Sequence, residues 1–162
     1  LTAELREKDV DAGLWLIGRI TEATGKRIEN ITANEGIEDR VKTFGYVEPD
    51  KIFQYLRAAD LGLCLLHGER AEYIIPTKMF EYMLSGIPVL ATETTATRKY
   101  LPDDCGRVVA NEIDDQANVA EKLLTNPELR KEMGNAGKQK VKNEYSWEVE
   151  AERLLALYED II

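Results

Sequence analysis

One histidine and two cysteines are all that 162 residues offer to a soft metal or a redox couple. His67 stands alone, Cys64 lies inside the apolar run Leu61–Leu66, and Cys105 precedes Gly106. There is no CxxC pair and no His cluster, so neither a zinc centre nor a disulfide scaffold is expected, and a reduced, cytoplasmic setting is. Basic residues are also scarce. Lys plus Arg is 21 against 30 Asp plus Glu, a formal net charge of −9. That excludes the basic footprint of a nucleic-acid binder and disfavours adhesion to an anionic membrane. No apolar run approaches the roughly 20 residues that span a bilayer. Repeats, low-complexity tracts and Pro/Gly/Ser linkers are missing, as are the Walker, GxGxxG, GxSxG and HExxH patterns. The chain opens Leu1-Thr2-Ala3-Glu4, without an initiator Met or a signal peptide, which predicts a piece of a longer protein.

What is present suffices for one domain. The composition is 44% hydrophobic and 31% charged, that of a globular chain. Short apolar runs alternate with amphipathic stretches. Strands are expected at Leu14–Gly18, Val41–Gly45, Leu61–Leu66, Pro88–Thr92 and Arg107–Ala110. Helices are expected at Thr21–Asn34, Asp50–Ala59, Thr77–Ser85, Thr95–Tyr100, Asp114–Leu124, Pro127–Glu144 and Trp147–Asp160. This alternation predicts an α/β fold, a parallel sheet with helices on both faces. The run Leu61–Leu66 does not alternate apolar with polar, which is how a strand buried on both faces reads. Proline falls at element boundaries, where a missing N–H does least harm. Asn126-Pro127-Glu128 reads as a helix start and Ser85-Gly86 as a helix stop. Ile52, Phe53, Leu56 and Ala59 make one apolar stripe; Trp147, Leu154, Tyr158 and Ile161 make another.

Ligands of open α/β sheets collect beyond the carboxyl ends of the strands. Those ends are Gly18-Arg19, Gly45-Tyr46-Val47, His67-Gly68, Thr92-Glu93-Thr94 and Ala110-Asn111. The longest connection, His67 to Pro76, leads into the helix Thr77–Ser85. Met79, Phe80, Met83 and Leu84 should face the sheet, with Lys78, Glu81, Tyr82 and Ser85 opposite. The helix N-terminus would point into the crevice with free N–H groups, a site for phosphate. Lys78 is misplaced there by dipole logic unless an anion binds. Glu81, one turn on, suits the paired hydroxyls of a ribose. The plain alternative is a surface ion pair between Lys78 and Glu81. His67 is either a structural side chain or a phosphate or sugar contact. Glu93 and Thr94 are weaker sugar candidates, Arg70 reads as a surface residue, and Trp147 and Tyr158 as core or interface aromatics.

Pro76-x-Lys78-x-x-Glu81-Tyr82-Met83-x-x-Gly86-x-Pro88-Val89-Leu90 resembles the PxKxxEYMxxGxPVxA signature of nucleotide-sugar-dependent glycosyltransferases of the GT-B fold, group 1 or family 4 type. Leu14-Trp15-Leu16-Ile17-Gly18 is similar to that family's LxIxG strand, and Val41–Val47 to its VxFxGxV segment. Ala58–Leu63 resembles AxADxxL, Cys105–Val109 the GxxV strand, and Tyr145-Ser146-Trp147 the YSW before the last helix. The resemblance implies a Rossmann-like three-layer domain over residues 1–162, the donor-binding C-terminal half, with an N-terminal acceptor domain outside it. It implies that Glu81 holds the donor ribose and that Tyr46 and Val47 line the base pocket. Gly18 and His67 would contact the donor, and Pro76-Thr77-Lys78 would meet its diphosphate. Lys78 and Glu81 would be the catalytic pair, stabilising a nucleoside diphosphate leaving group. No metal or cofactor is then required. A UDP- or GDP-sugar would be the donor, a hexosyl group would pass with retention, and a glycan or lipid-linked acceptor would receive it. Any membrane contact would run through the N-terminal domain.

Three departures stand out. Many relatives carry Glu-x7-Glu ending at the Glu81 position; here Tyr73 takes the first place, with Glu72 beside it and Glu69 further back. The family's Arg/Lys pair near the diphosphate falls upstream of this chain. Relatives also have one more strand before the one matching Leu14–Gly18, central in the order 3-2-1-4-5-6. Either that topology is not kept, another chain fills the gap, or a core element is missing. Exposed core or the last helix, with Leu154, Leu155 and Ile161, would suit a homodimer. The competing readings are a UDP-sugar 2-epimerase-like GT-B enzyme and a non-catalytic α/β module.

Overall fold

Two parallel sheets, not one, carry the strands in the computed structural model, which describes residues 1–159. In the first, β1 (Leu14–Ile17) pairs with β2 (Val41–Gly45). In the second, β4 (Val89–Thr92) lies between β3 (Gly62–Cys64) and β5 (Gly106–Val109). The class expected from the sequence holds: strands are parallel and helices flank them. The single continuous sheet does not, because nothing pairs β1 with β3. The expected strand Leu61–Leu66 is correspondingly cut to three residues. With a neighbour on one side only, its last turn leaves the ladder. The Leu66 N–H goes to the Thr92 hydroxyl at 2.7 Å, and that hydroxyl donates to the Leu66 carbonyl at 2.6 Å.

Among the described residues, eight α-helices flank the strands: α1 (Thr2–Glu7), α2 (Glu22–Glu35), α3 (Pro49–Leu56), α4 (Thr77–Ser85), α5 (Thr95–Tyr100), α6 (Ile113–Leu124), α7 (Pro127–Glu144) and α8 (Trp147–Glu159). Most starts and stops have local causes. Thr21 caps α2 by accepting from the Thr24 N–H, and Asn126 caps α7 by accepting from the Leu129 N–H. Helix α4 stops where Gly86 turns left-handed, at φ 79°. Helix α3 ends three residues before Ala59, because Ala58 and Ala59 donate to carbonyls three residues back and tighten the last turn. Helix α1 went unread in the sequence, since no capping side chain marks its start. Tertiary burial holds it: Leu5 is 4% exposed and packs with Leu90 and Ala120.

Strand β4 shows the layering. Its four residues are all fully buried. Val89 and Ala91 pack with Met79 and Met83 of α4, whereas Leu90 packs with Leu5 of α1 and Ala120 of α6. Alternating side chains of one strand therefore meet helices on opposite faces. Helices α2, α1 and α6 touch in that order on one side. Arg6 donates to the Gly36 carbonyl at the end of α2 at 2.6 Å, and Lys8 reaches Asn118 at 2.8 Å and Glu121 at 3.1 Å on α6. On the other side α7 presses on α4, with Gly134 against the Gly86 backbone and Gly137 against Met83. Helix α8 meets the end of α7, where Arg153 donates to the Glu144 carbonyl at 3.2 Å. None of its residues is buried, and Trp147 is 74% and Tyr158 58% exposed, so neither belongs to a core. The expected helix end Asp160 and stripe residue Ile161 lie outside the described residues. Among the described residues, no helix is long and apolar enough to cross a membrane.

Candidate functional site

Helix α4 is set up by what lies beneath it. Tyr82 covers Gly62 of β3 so closely that a Cβ on Gly62 would overlap the ring. This corrects the expected facing: Tyr82 is on the sheet side, and Leu84 is exposed at 36%. The small strand residue makes the difference, because a glycine opposite leaves room for a phenol ring. Burial pushes the Tyr82 hydroxyl up to about 12 and the Cys64 thiol up to about 11. Cys64 also feels Lys78, which lowers it, and Glu81, which raises it. Both charges of the expected pair therefore bear on the carboxyl end of β3.

The N-terminus of α4 has no side-chain cap. Pro76 precedes it, buried, and cannot supply one. Thr77 and Lys78 are exposed in the first turn, and Glu81 is half-buried one turn later. Among the described residues neither Lys78 nor Glu81 enters an ion pair, so the plain surface-pair reading fails. An uncapped helix N-terminus offers free N–H groups and a partial positive charge.

The preceding loop is more ordered than its sequence suggests. Gly68 turns at φ 87° into a 3-10 helix at Glu69–Tyr73. The Glu72 carboxylate accepts from the Thr95 N–H at 3.0 Å and from its hydroxyl at 3.1 Å, tying the loop to α5. Tyr73, the departure from the expected glutamate, is 90% exposed. His67 and Arg70 are exposed, as a surface reading requires for Arg70. Glu93 is paired with Arg98, and Thr94 is buried as the cap of α5, so both have structural work. Thr92, Thr97 and Glu72 organise this mouth through contacts that went unread. A buried threonine at a strand end carries no periodic signal.

The base-pocket candidates lie over the other sheet. Gly45, at φ 64°, accepts the Gly18 N–H at 2.7 Å and turns the chain into Tyr46. Tyr46 is 55% exposed, with the Arg19 guanidinium 5.1 Å above its ring. An open cavity of about 480 Å³ is lined there by Arg19, Ile20, Ile28, Glu29, Gly45 and Tyr46. It gathers Tyr46 from the expected set. Gly18, Val47, His67, Pro76, Thr77, Lys78 and Glu81 are not part of its wall. The structure thus forms two clusters, one at the mouth of each sheet.

A family profile described as "Glycosyl transferase-like" matches residues 14–156. The chain belongs to that family. The MMP alpha-(1->4)-mannosyltransferase of Mycolicibacterium hassiacum is 29% identical over 166 residues, which is 99% of this chain and 38% of that protein. Sucrose-phosphate synthase from Thermosynechococcus elongatus superposes with a TM-score of 0.78 at 22% identity, over 99% of this chain and 41% of that one. HepE from Anabaena, in complex with UDP and glucose, gives 0.70 at 20% identity, over 80% of this chain and 36% of that one. This glycosyltransferase-like chain thus spans about two fifths of the length of the proteins it matches. Its parallel α/β architecture is that of GT-B glycosyltransferases.

Proposed function

We propose that this chain is the sugar-nucleotide donor half of a retaining glycosyltransferase, with the acceptor half supplied by a further domain. One observation carries the reading: the uncapped α4 N-terminus, with Lys78 in its first turn and in no ion pair among the described residues, stands at the carboxyl end of β3. A nucleoside diphosphate leaving group gains negative charge as it departs. Preorganised N–H groups and an ammonium at that spot stabilise it without a metal. Glu81 accepts from the ribose hydroxyls, and Pro76 and Thr77 shape the first turn. Tyr46 and Val47 meet the base beside Gly18, and His67 flanks the phosphates. The similarity to a mannosyltransferase and the UDP and glucose bound to HepE support a UDP- or GDP-hexose as donor. The acceptor is a glycan or lipid-linked sugar, and the setting is cytoplasmic.

Isothermal titration calorimetry with UDP and GDP in EDTA tests this. One of the two binds saturably, and Lys78→Ala and Glu81→Ala each weaken it about 10–100-fold, the loss of one charge-assisted hydrogen bond of about 1.5–3 kcal/mol. Affinity unchanged in both variants, or no binding at millimolar nucleotide by folded protein, overturns it.

A further inference from the structure

We infer that the cavity beside Tyr46 is a guanine pocket, so that the donor is a GDP-sugar and not a UDP-sugar. The inference rests on the sugar-nucleotide reading above and adds the base to it.

The cavity opens past the carboxyl ends of β1 and β2, where open α/β sheets take their ligands. Two elements put opposite charges into its wall. Arg19 comes from the loop after β1, and Glu29 comes from α2. Both side chains are exposed, and among the described residues neither enters an ion pair. A cation and a carboxylate that line one cavity without meeting leave their hydrogen-bonding edges to a ligand. Arg19 is held by its face instead. Its guanidinium lies over the Tyr46 ring, 5.1 Å from the centroid. Stacking engages the plane of the group and leaves the N–H fork at its rim free to donate. Glu29, ionised, can only accept. Ile20 and Ile28 add apolar wall for the face of a ring.

Guanine fits that set. Its O6 and N7 accept side by side from an arginine fork. Its other edge carries N1–H and the 2-amino group, two parallel donors for one carboxylate. Uracil has a single N–H between two carbonyl oxygens, which a carboxylate repels. Adenine places its amino group beside N7, so an arginine fork meets a donor there. Cytosine offers a carboxylate its amino group alone. The base that uses both charges of the cavity in full is therefore guanine.

The test is calorimetry of the protein with GDP, IDP, UDP and CDP in EDTA, repeated on Glu29→Gln and Arg19→Lys. Both positions are exposed, so melts of the two variants should match the parent. GDP should bind more tightly than UDP, CDP and IDP, which lacks the 2-amino group. Each variant should cut GDP affinity about 10–100-fold, the worth of one bidentate base contact, and leave UDP nearly unchanged. UDP, CDP or IDP binding as tightly as GDP overturns the inference, and so does a GDP-to-UDP ratio unchanged in both variants. Lys78→Ala should weaken GDP and UDP alike. A Lys78 effect without base preference therefore removes the guanine pocket and keeps the diphosphate site. Where no diphosphate binds, NMR with GMP decides. Shifts at Arg19, Glu29 and Tyr46 that vanish in Glu29→Gln support the pocket, and no shift at these residues in millimolar GMP overturns it.

Discussion

Replacing Gly134 by alanine should destabilise the protein, although helix propensity says the opposite. Gly134 lies inside α7, where alanine is favoured over glycine by roughly 1 kcal/mol. A Cβ there, however, would run into the carbonyl of Gly86, a backbone atom at the C-terminus of α4. Backbone cannot rotate aside, so α7 and α4 must separate, and forced overpacking costs about 1–3 kcal/mol or more. The contact lies well inside van der Waals distance, so the upper end applies, leaving a net loss of about 2 kcal/mol. Gly25 is the internal control. It too is a helix-interior glycine, in α2, but an added Cβ would meet only the Ile20 side chain, at 3.8 Å. Gly25→Ala should therefore gain roughly 0.5–1 kcal/mol. For a chain of this size each kcal/mol moves Tm by about 2–4 °C. Thermal melts followed by circular dichroism should show Gly134→Ala lower by about 4–8 °C and Gly25→Ala higher by about 1–4 °C. A Gly134→Ala protein as stable as the parent would refute the packing argument.

Two further expectations follow from the same structure. Thr92→Val keeps the shape of a fully buried side chain but strips both bonds to Leu66, so urea denaturation should show a loss of about 1–3 kcal/mol; an unchanged midpoint would mean water replaces the hydroxyl. Alkali should also destabilise the fold. Burial raises Cys64 from 9.0 to about 11 and Tyr82 from 10.0 to about 12, so from about pH 9 upward the unfolded chain releases protons the native one keeps. Their contribution is complete below pH 9 and is lost as pH rises through 11 and 12. The urea midpoint should fall between pH 8 and 10.5, and less steeply in Cys64→Ala; parallel curves for the two proteins would exclude the thiol as a cause.

Elements with local causes were legible in the sequence. The Thr21 and Asn126 caps, the Gly86 stop and the α4 signature stand in the chain as written, because capping and helix termination depend on a few neighbouring residues. That Lys78 and Glu81 stand one turn apart on one helix was legible for the same reason. Partners distant in sequence were not. Glu72 meets Thr95 across 23 residues, and Thr92 meets Leu66 across 26. Tyr82 turned to the sheet because Gly62 leaves a space there, and α1 holds only because Leu5 finds Leu90 and Ala120. The scarcity of cysteine, histidine and basic side chains bounded the chemistry from composition alone, since counts need no fold. Whether β1 and β3 share one sheet depends on hydrogen bonds between strands far apart in the chain. Only the tertiary structure could decide that, and it leaves the two edges open.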